Sequence, residues 1–156
     1  DLRFENYVDD AAAWVEQLRH DKRFSTVTII GHSEGALIGA IAAVRTHPNA
    51  FISLSGVGRS AGLVLREQLN GKLPAQLFQA NEKILRELEA VRTTQDVPPA
   101  LQSMYRASVQ PYLISWFKYN PVEVVASINA DGIIVVDNQI IDFEKHFWNP
   151  EIIIEN

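Results

Sequence analysis

Ser33 stands between two glycines in Gly31-His32-Ser33-Glu34-Gly35. A G-x-S-x-G spacing suits a hydroxyl that attacks a carbonyl carbon, provided a strand leads into it and a helix leads out. The turn must be so tight that the neighbours two residues away lack side chains, hence Gly31 and Gly35. The hydroxyl then projects at the start of the following helix. There the helix dipole and free backbone N–H groups favour developing negative charge. Glu34 is expected to lend its backbone N–H to such an oxyanion hole.

The flanking residues supply both elements. Thr26-Val27-Thr28-Ile29-Ile30 is a β-branched apolar run that reads as a fully buried strand. Ala36 to Val44 is alanine-rich and apolar, as in a helix packed against a sheet. The competing role for Ser33 is a helix N-cap, which the same turn would provide. His32 adjoins Ser33, but consecutive residues on such a turn point apart. It therefore reads as a packing or hydrogen-bonding residue rather than the base.

Around this centre the pattern alternates between helix and strand. Val8, Ala11, Ala12, Val15 and Leu18 fall at helical spacing, predicting an amphipathic helix from about Tyr7 to His20. His47-Pro48-Asn49 stops the helix after the serine, and Ala50 to Leu54 reads as a second buried strand. Helix, strand, helix, strand with short loops argues for an α/β fold with a parallel sheet. Helical segments then follow over Gly62–Leu69, Ala75–Val91, Leu101–Arg106, Tyr112–Lys118 and Val122–Ile128. The longest is expected to bury Leu77, Phe78, Ile84, Leu85, Leu88 and Val91. So much helix between strands exceeds a simple crossover, and residues 60–128 read as a helical cap over the sheet's C-terminal edge. Gly132 to Val136 returns to buried-strand character, and Glu151 to Ile154 reads as a last strand.

Bulk properties narrow the class. A chain of 156 residues supports one domain, 1–156, with a real core. The net charge of −5, with no Lys/Arg cluster, gives no support for nucleic-acid or anionic-membrane binding. Zero cysteines exclude disulfides, thiolate metal sites and cysteine catalysis, without choosing a compartment. Four scattered histidines make no metal site, so neither metal nor cofactor is expected. The apolar run around Ala36–Val44 is too short to span a bilayer. There is no initiator Met and no signal-like start, which leaves localisation unread.

From Asp1 to about Ile128 the chain resembles the α/β-hydrolase superfamily, in its branch of esterases, lipases and serine aminopeptidase-like enzymes. The resemblance rests on the helix with the Tyr7-to-Trp14 pattern, on Val27 through Gly35, and on Phe51-Ile52-Ser53-Leu54-Ser55-Gly56. In the cap it includes Ser108-Val109-Gln110-Pro111-Tyr112-Leu113-Ile114-Ser115-Trp116-Phe117. It implies a parallel-sheet α/β-hydrolase core with an inserted helical cap, and a Ser…Asp…His triad. It also implies hydrolysis of a small ester or amide through an acyl-enzyme, without a cofactor. Two departures stand out: family members carry several strands ahead of the elbow helix, the loop after one of them donating the second oxyanion N–H, and the region after Ile128 fits their pattern poorly. The sequence thus resembles the middle of a hydrolase.

Under that resemblance the acid is Asp137, at the end of the Ile133–Val136 strand, or Asp142, nearer the family spacing. Each is equally the residue type of a solvated turn or a helix N-cap. His146 is the only histidine after both, four residues beyond Asp142, and is the candidate base; the alternative is a surface helix histidine. If Ile152–Ile154 is the strand that normally precedes the catalytic loop, the family's histidine would fall after Asn156. Tyr105, Tyr112, Trp116, Phe117 and Tyr119 either line an acyl pocket or pack the cap. The expected partner is the small-molecule substrate, with self-association as a homo-oligomer where sheet is left uncovered. The rival from another class is a hydrolase-like chain that binds a ligand or partner without turnover. An acyltransferase would use the same serine with a different acceptor.

Overall fold

The computed structural model describes residues 2–130 and 132–136. Asp137, Asp142, His146 and the strand expected at Glu151–Ile154 lie outside the described residues. The chain is mixed α/β, and its described residues include three parallel strands, β1 (Thr28–His32), β2 (Ala50–Leu54) and β3 (Gly132–Val136), in the order β1-β2-β3. Ile29 pairs with Phe51 and Gly31 with Ser53, so these residues share one sheet face.

That face carries the helices. α1 (Phe4–His20) packs on α2 (Glu34–Thr46) through Phe4, Val8 and Ile41. Ala40 and Ala43 of α2 meet Phe51 of the sheet. A Cβ on Gly39 would lie 2.9 Å from Ile29 Cγ2 and 3.2 Å from a Phe51 ring carbon, so the missing side chain sets how closely α2 approaches β1 and β2.

The expectation of a fully buried first strand is corrected. Ile30 is 58% exposed, and Thr28 and His32 on the same face are exposed too. β1 is the edge of the described sheet, and no described helix covers that face. An apolar run on its own implies burial on both faces, but among the described residues only the Ile29/Gly31 face is packed.

Between β2 and β3 come α3 (Ala61–Leu69), α4 (Ala75–Glu89), a 3₁₀ turn at Pro99–Leu101, α5 (Gln102–Tyr105), α6 (Gln110–Phe117) and α7 (Pro121–Ala126). The first four helices have a core of their own, in which Ile84, Leu85 and Leu88 of α4 meet Leu101, Tyr105, Leu113 and Phe117. α7 belongs instead to the sheet layer, where Val124 and Val125 pack with Phe51 and Ile128. The inserted region is therefore a helical subunit of structure followed by a helix that returns the chain to the sheet.

Two polar side chains tie this insertion together. Gln110 is buried; its Oε1 accepts the Thr94 N–H at 2.8 Å, and its Nε2 donates to the Thr94 and Tyr105 carbonyls, each at 2.8 Å. The loop before the 3₁₀ turn is thereby pinned to α6. Tyr105 donates its hydroxyl to Asn81 Oδ1 at 2.5 Å, and burial pushes its phenol up to about 12.

Val91 departs from expectation. It is not on the inner face of α4 but 72% exposed beyond its end, at φ 60°. The Arg92 N–H donates to the Glu87 carbonyl at 2.9 Å and the Val91 N–H to that of Leu88 at 3.0 Å, which is a Schellman ending. Glycine usually occupies that left-handed position, so a valine there gives no stop signal and costs about 1–2 kcal/mol.

Candidate active site

Ser33 lies between β1 and α2 at φ 53°, ψ −121°. This is close to the first central position of a type II′ turn, which glycine adopts freely and a serine only under strain of about 1–3 kcal/mol. Three contacts hold the bend. The Ser33 N–H donates to the Leu54 carbonyl at 3.0 Å, the Ala36 N–H donates to the Ser33 carbonyl at 3.1 Å, and residue 31 is pressed on the helix start. A Cβ on Gly31 would lie 2.4 Å from the Gly35 carbonyl oxygen and 2.6 Å from Ala36 Cα.

The two motif glycines are not equivalent. A Cβ on Gly35 meets nothing within 4 Å among the described residues. The tightness expected of both glycines therefore falls on Gly31 alone.

The Ser33 side chain makes no capping bond to α2 and no other hydrogen bond among the described residues. The N-cap role is thus unfilled, and the residue is exposed. Glu34 is the first residue of α2, and its N–H has no acceptor among the described residues. A free amide next to an uncommitted hydroxyl, at the positive end of a 13-residue helix, can stabilise a developing oxyanion.

The Glu34 side chain joins the cap to this bend. Tyr112 of α6 donates its hydroxyl to Glu34 Oε1. Burial pushes the Glu34 carboxyl above the usual value of 4.5. The native state therefore holds this proton to higher pH than the unfolded chain does. Stability contributed by this group falls as pH rises through the window that starts near 4.5 and ends at the raised value. Glu34→Gln keeps an acceptor for Tyr112 but cannot titrate. The stability difference between wild type and Glu34→Gln in urea unfolding should change across pH 4 to 7, with the wild type losing ground as pH rises. A difference independent of pH would contradict the burial of this carboxyl. Glu5, Glu87 and Asp96 shift the opposite way beside Lys118, Arg92 and Lys83, so only the paired comparison isolates Glu34.

Two cavities flank the site. A small one of about 20 Å³ is lined by Ser33 with Leu37, Val57, Ala61, Trp116 and Pro121, and by Glu34 and Arg59. A groove of about 490 Å³ is also lined by Glu34, with Tyr7, Ile38, Arg106, Val109 and Tyr112 in its wall. Of the five aromatics expected in a pocket or in cap packing, Trp116 and Tyr112 reach these cavities. Tyr105 and Phe117 are in the core of the inserted helices, and the Tyr119 ring is tilted against Phe4 at 5.6 Å between ring centroids.

The described histidines lie elsewhere. His32 is on β1, one residue from Gly31, and so on the uncovered face of the sheet. His47 follows the C-terminus of α2, about 20 Å along the helix from Ser33. His20 ends α1 at that same side, where Arg19 bonds the Thr46 and His47 carbonyls. Among the described residues no cluster of His, Cys, Asp and Glu could hold a metal ion, and no helix is long and apolar enough to cross a membrane.

The Tyr112–Glu34 contact was not legible in the sequence. The two residues are 78 positions apart, and neither falls in a motif with the other. No protein family, curated protein or solved structure matches this chain.

Proposed function

We propose that the chain is a serine hydrolase of the α/β-hydrolase type, with Ser33 as its nucleophile and a small ester or amide as substrate. The observation that carries this reading is the strained Ser33 backbone, at φ 53° and ψ −121°, with a hydroxyl that makes no hydrogen bond among the described residues. A serine kept in such a conformation, and not used to cap its helix, is spending stability for something other than folding. The strand–turn–helix context, the free Glu34 N–H and the flanking cavities support the same reading.

In the proposed reaction the Ser33 oxygen bonds to the substrate carbonyl carbon while a base takes the hydroxyl proton. The Glu34 N–H donates to the oxyanion. The bond from carbon to the leaving oxygen or nitrogen then breaks, and the leaving group takes up that proton. Water next bonds to the acyl carbon, the Ser33 ester bond breaks, and Ser33 regains a proton as the acid departs. His146 is the proposed base, and Asp142, or Asp137, the acid that orients it.

A second reading is a hydrolase-like chain that binds a ligand without turning it over. It is favoured by the described histidines, none of which hydrogen-bonds Ser33. Turnover of p-nitrophenyl acetate separates the two. The hydrolase reading expects Ser33→Ala to lower the rate at least about a thousandfold. A folded wild type without turnover would support the binder, and an unimpaired Ser33→Ala would remove Ser33 from the mechanism.

A further inference from the structure

We infer that Asn70–Gly71, at the end of α3, is a site of spontaneous deamidation in the folded protein, with the Gly71 backbone nitrogen attacking the Asn70 side-chain carbonyl. The two residues form the middle of a type II turn. Asn70 stands at φ −62°, ψ 128° and Gly71 at φ 72°, and the Lys72 N–H donates to the Leu69 carbonyl at 3.1 Å. The Gly71 N–H has no acceptor among the described residues, and the Asn70 side chain makes no hydrogen bond among them. Both residues are exposed, and a Cβ on Gly71 would meet nothing within 4 Å. With nothing packed at Gly71 and no side chain on it, the peptide plane is free to turn toward the Asn70 side chain, as ring closure requires.

No other described asparagine combines these features. Asn81 is fully buried and accepts the Tyr105 hydroxyl. Asn6 and Asn49 accept backbone N–H groups, from Arg3 at 2.8 Å and from Val27 at 2.9 Å. Asn120 precedes Pro121, whose nitrogen has no proton to lose. Asn129 is exposed, but the next residue is Ala130, whose side chain packs on the cluster around Phe51.

The reaction needs only water and mild base. The Gly71 nitrogen loses its proton to solvent and bonds to Asn70 Cγ. The Cγ–Nδ2 bond breaks, and ammonia leaves with a proton taken from solvent, so that a cyclic succinimide remains. Water then adds to one of the two ring carbonyl carbons and breaks the bond from that carbon to the Gly71 nitrogen. Opening at Cγ leaves aspartate. Opening at the backbone carbonyl carbon leaves an isoaspartyl link, in which the main chain runs through the former side chain. Either product makes the net charge one unit more negative than −5. The new carboxylate stands at the C-cap of α3, where the helix dipole disfavours an anion.

The test is a time course of the folded protein at mildly alkaline pH, with trypsin digestion and mass mapping of the peptide Glu67–Lys72. Amide-to-acid conversion at Asn70 should be at least about tenfold faster than at Asn49, whose side chain must first be freed by local opening. The product should include an isoaspartyl form, read as methyl uptake from protein isoaspartyl methyltransferase. Gly71→Ala should slow the conversion at least about tenfold, because a methyl group crowds the attacking nitrogen. The comparison of Asn70 with Asn49 within the wild type holds even if that variant fails to fold. Conversion at Asn70 no faster than at Asn49, aspartate with no isoaspartyl product, or an unchanged rate in Gly71→Ala would each overturn the inference.

Discussion

Gly31→Ala is expected to destabilise the protein by about 3 kcal/mol, lowering its melting temperature by roughly 6–12 °C. The added methyl has nowhere to go. It would sit 2.4 Å from the Gly35 carbonyl oxygen, 2.6 Å from Ala36 Cα and 2.8 Å from the Gly35 carbonyl carbon. All three are backbone atoms, so no rotamer change relieves the overlap, and the start of α2 must move away from β1. That movement also displaces Ser33 and the Glu34 N–H from each other. Gly35→Ala provides the contrast: its methyl meets no described atom, and alanine favours the helix by about 1 kcal/mol. Thermal unfolding of the pair should therefore give shifts of opposite sign. Equal shifts would mean that the bend is not held by the contact of residue 31 with the helix start.

Phe4→Ala should cost about 3–5 kcal/mol, the usual range for emptying an aromatic site in a packed core. Phe4 is fully buried at the junction of α1, α2 and α6. Its ring meets Tyr112 at 6.0 Å, Trp116 at 5.9 Å and Tyr119 at 5.6 Å. Its N–H donates to Ser115 Oγ at 2.8 Å. Truncation therefore removes the common support of the two residues, Tyr112 and Trp116, that bring the cap to the site. Chemical denaturation gives the cost; a loss below about 1 kcal/mol would show that the cap and the sheet layer hold together without this ring.

Every described strand lies within two residues of its apolar run, because a β-branched run between turn residues has few other outcomes. Ala50–Leu54 and Gly132–Val136 appear with the bounds the apolar pattern implies. The first strand runs two residues later than its apolar run suggested, through Gly31 and His32 to the bend. What periodicity could not supply was which face of β1 is covered. Thr28 and Ile30 look the same in a run whether the neighbouring layer is present or not, and here they are exposed. The end of α4 was hidden because Val91 occupies a position where glycine would have marked it. The start of α1 at Phe4 was hidden likewise: Asn6 accepts the Arg3 N–H at 2.8 Å, and Arg3 is not a residue type that announces a cap.

At the site, Ser33 was legible because its requirement is local: a strand, a glycine-flanked turn and a helix within a few residues. The glycines were legible as a pair but not in their separate duties, since only coordinates show that Gly31 faces backbone and Gly35 faces open space. Trp116 and Tyr112 reach the site from the insertion and Val57 from the loop after β2, through packing that no short spacing encodes. Asp137, Asp142 and His146, proposed from resemblance alone, lie outside the described residues.

The most direct measurement is covalent labelling of the folded chain with a fluorophosphonate, followed by peptide mass mapping. One adduct is expected, on the peptide containing Ser33, and none in Ser33→Ala. Folded wild type that takes no label, or label that persists in Ser33→Ala, would contradict it.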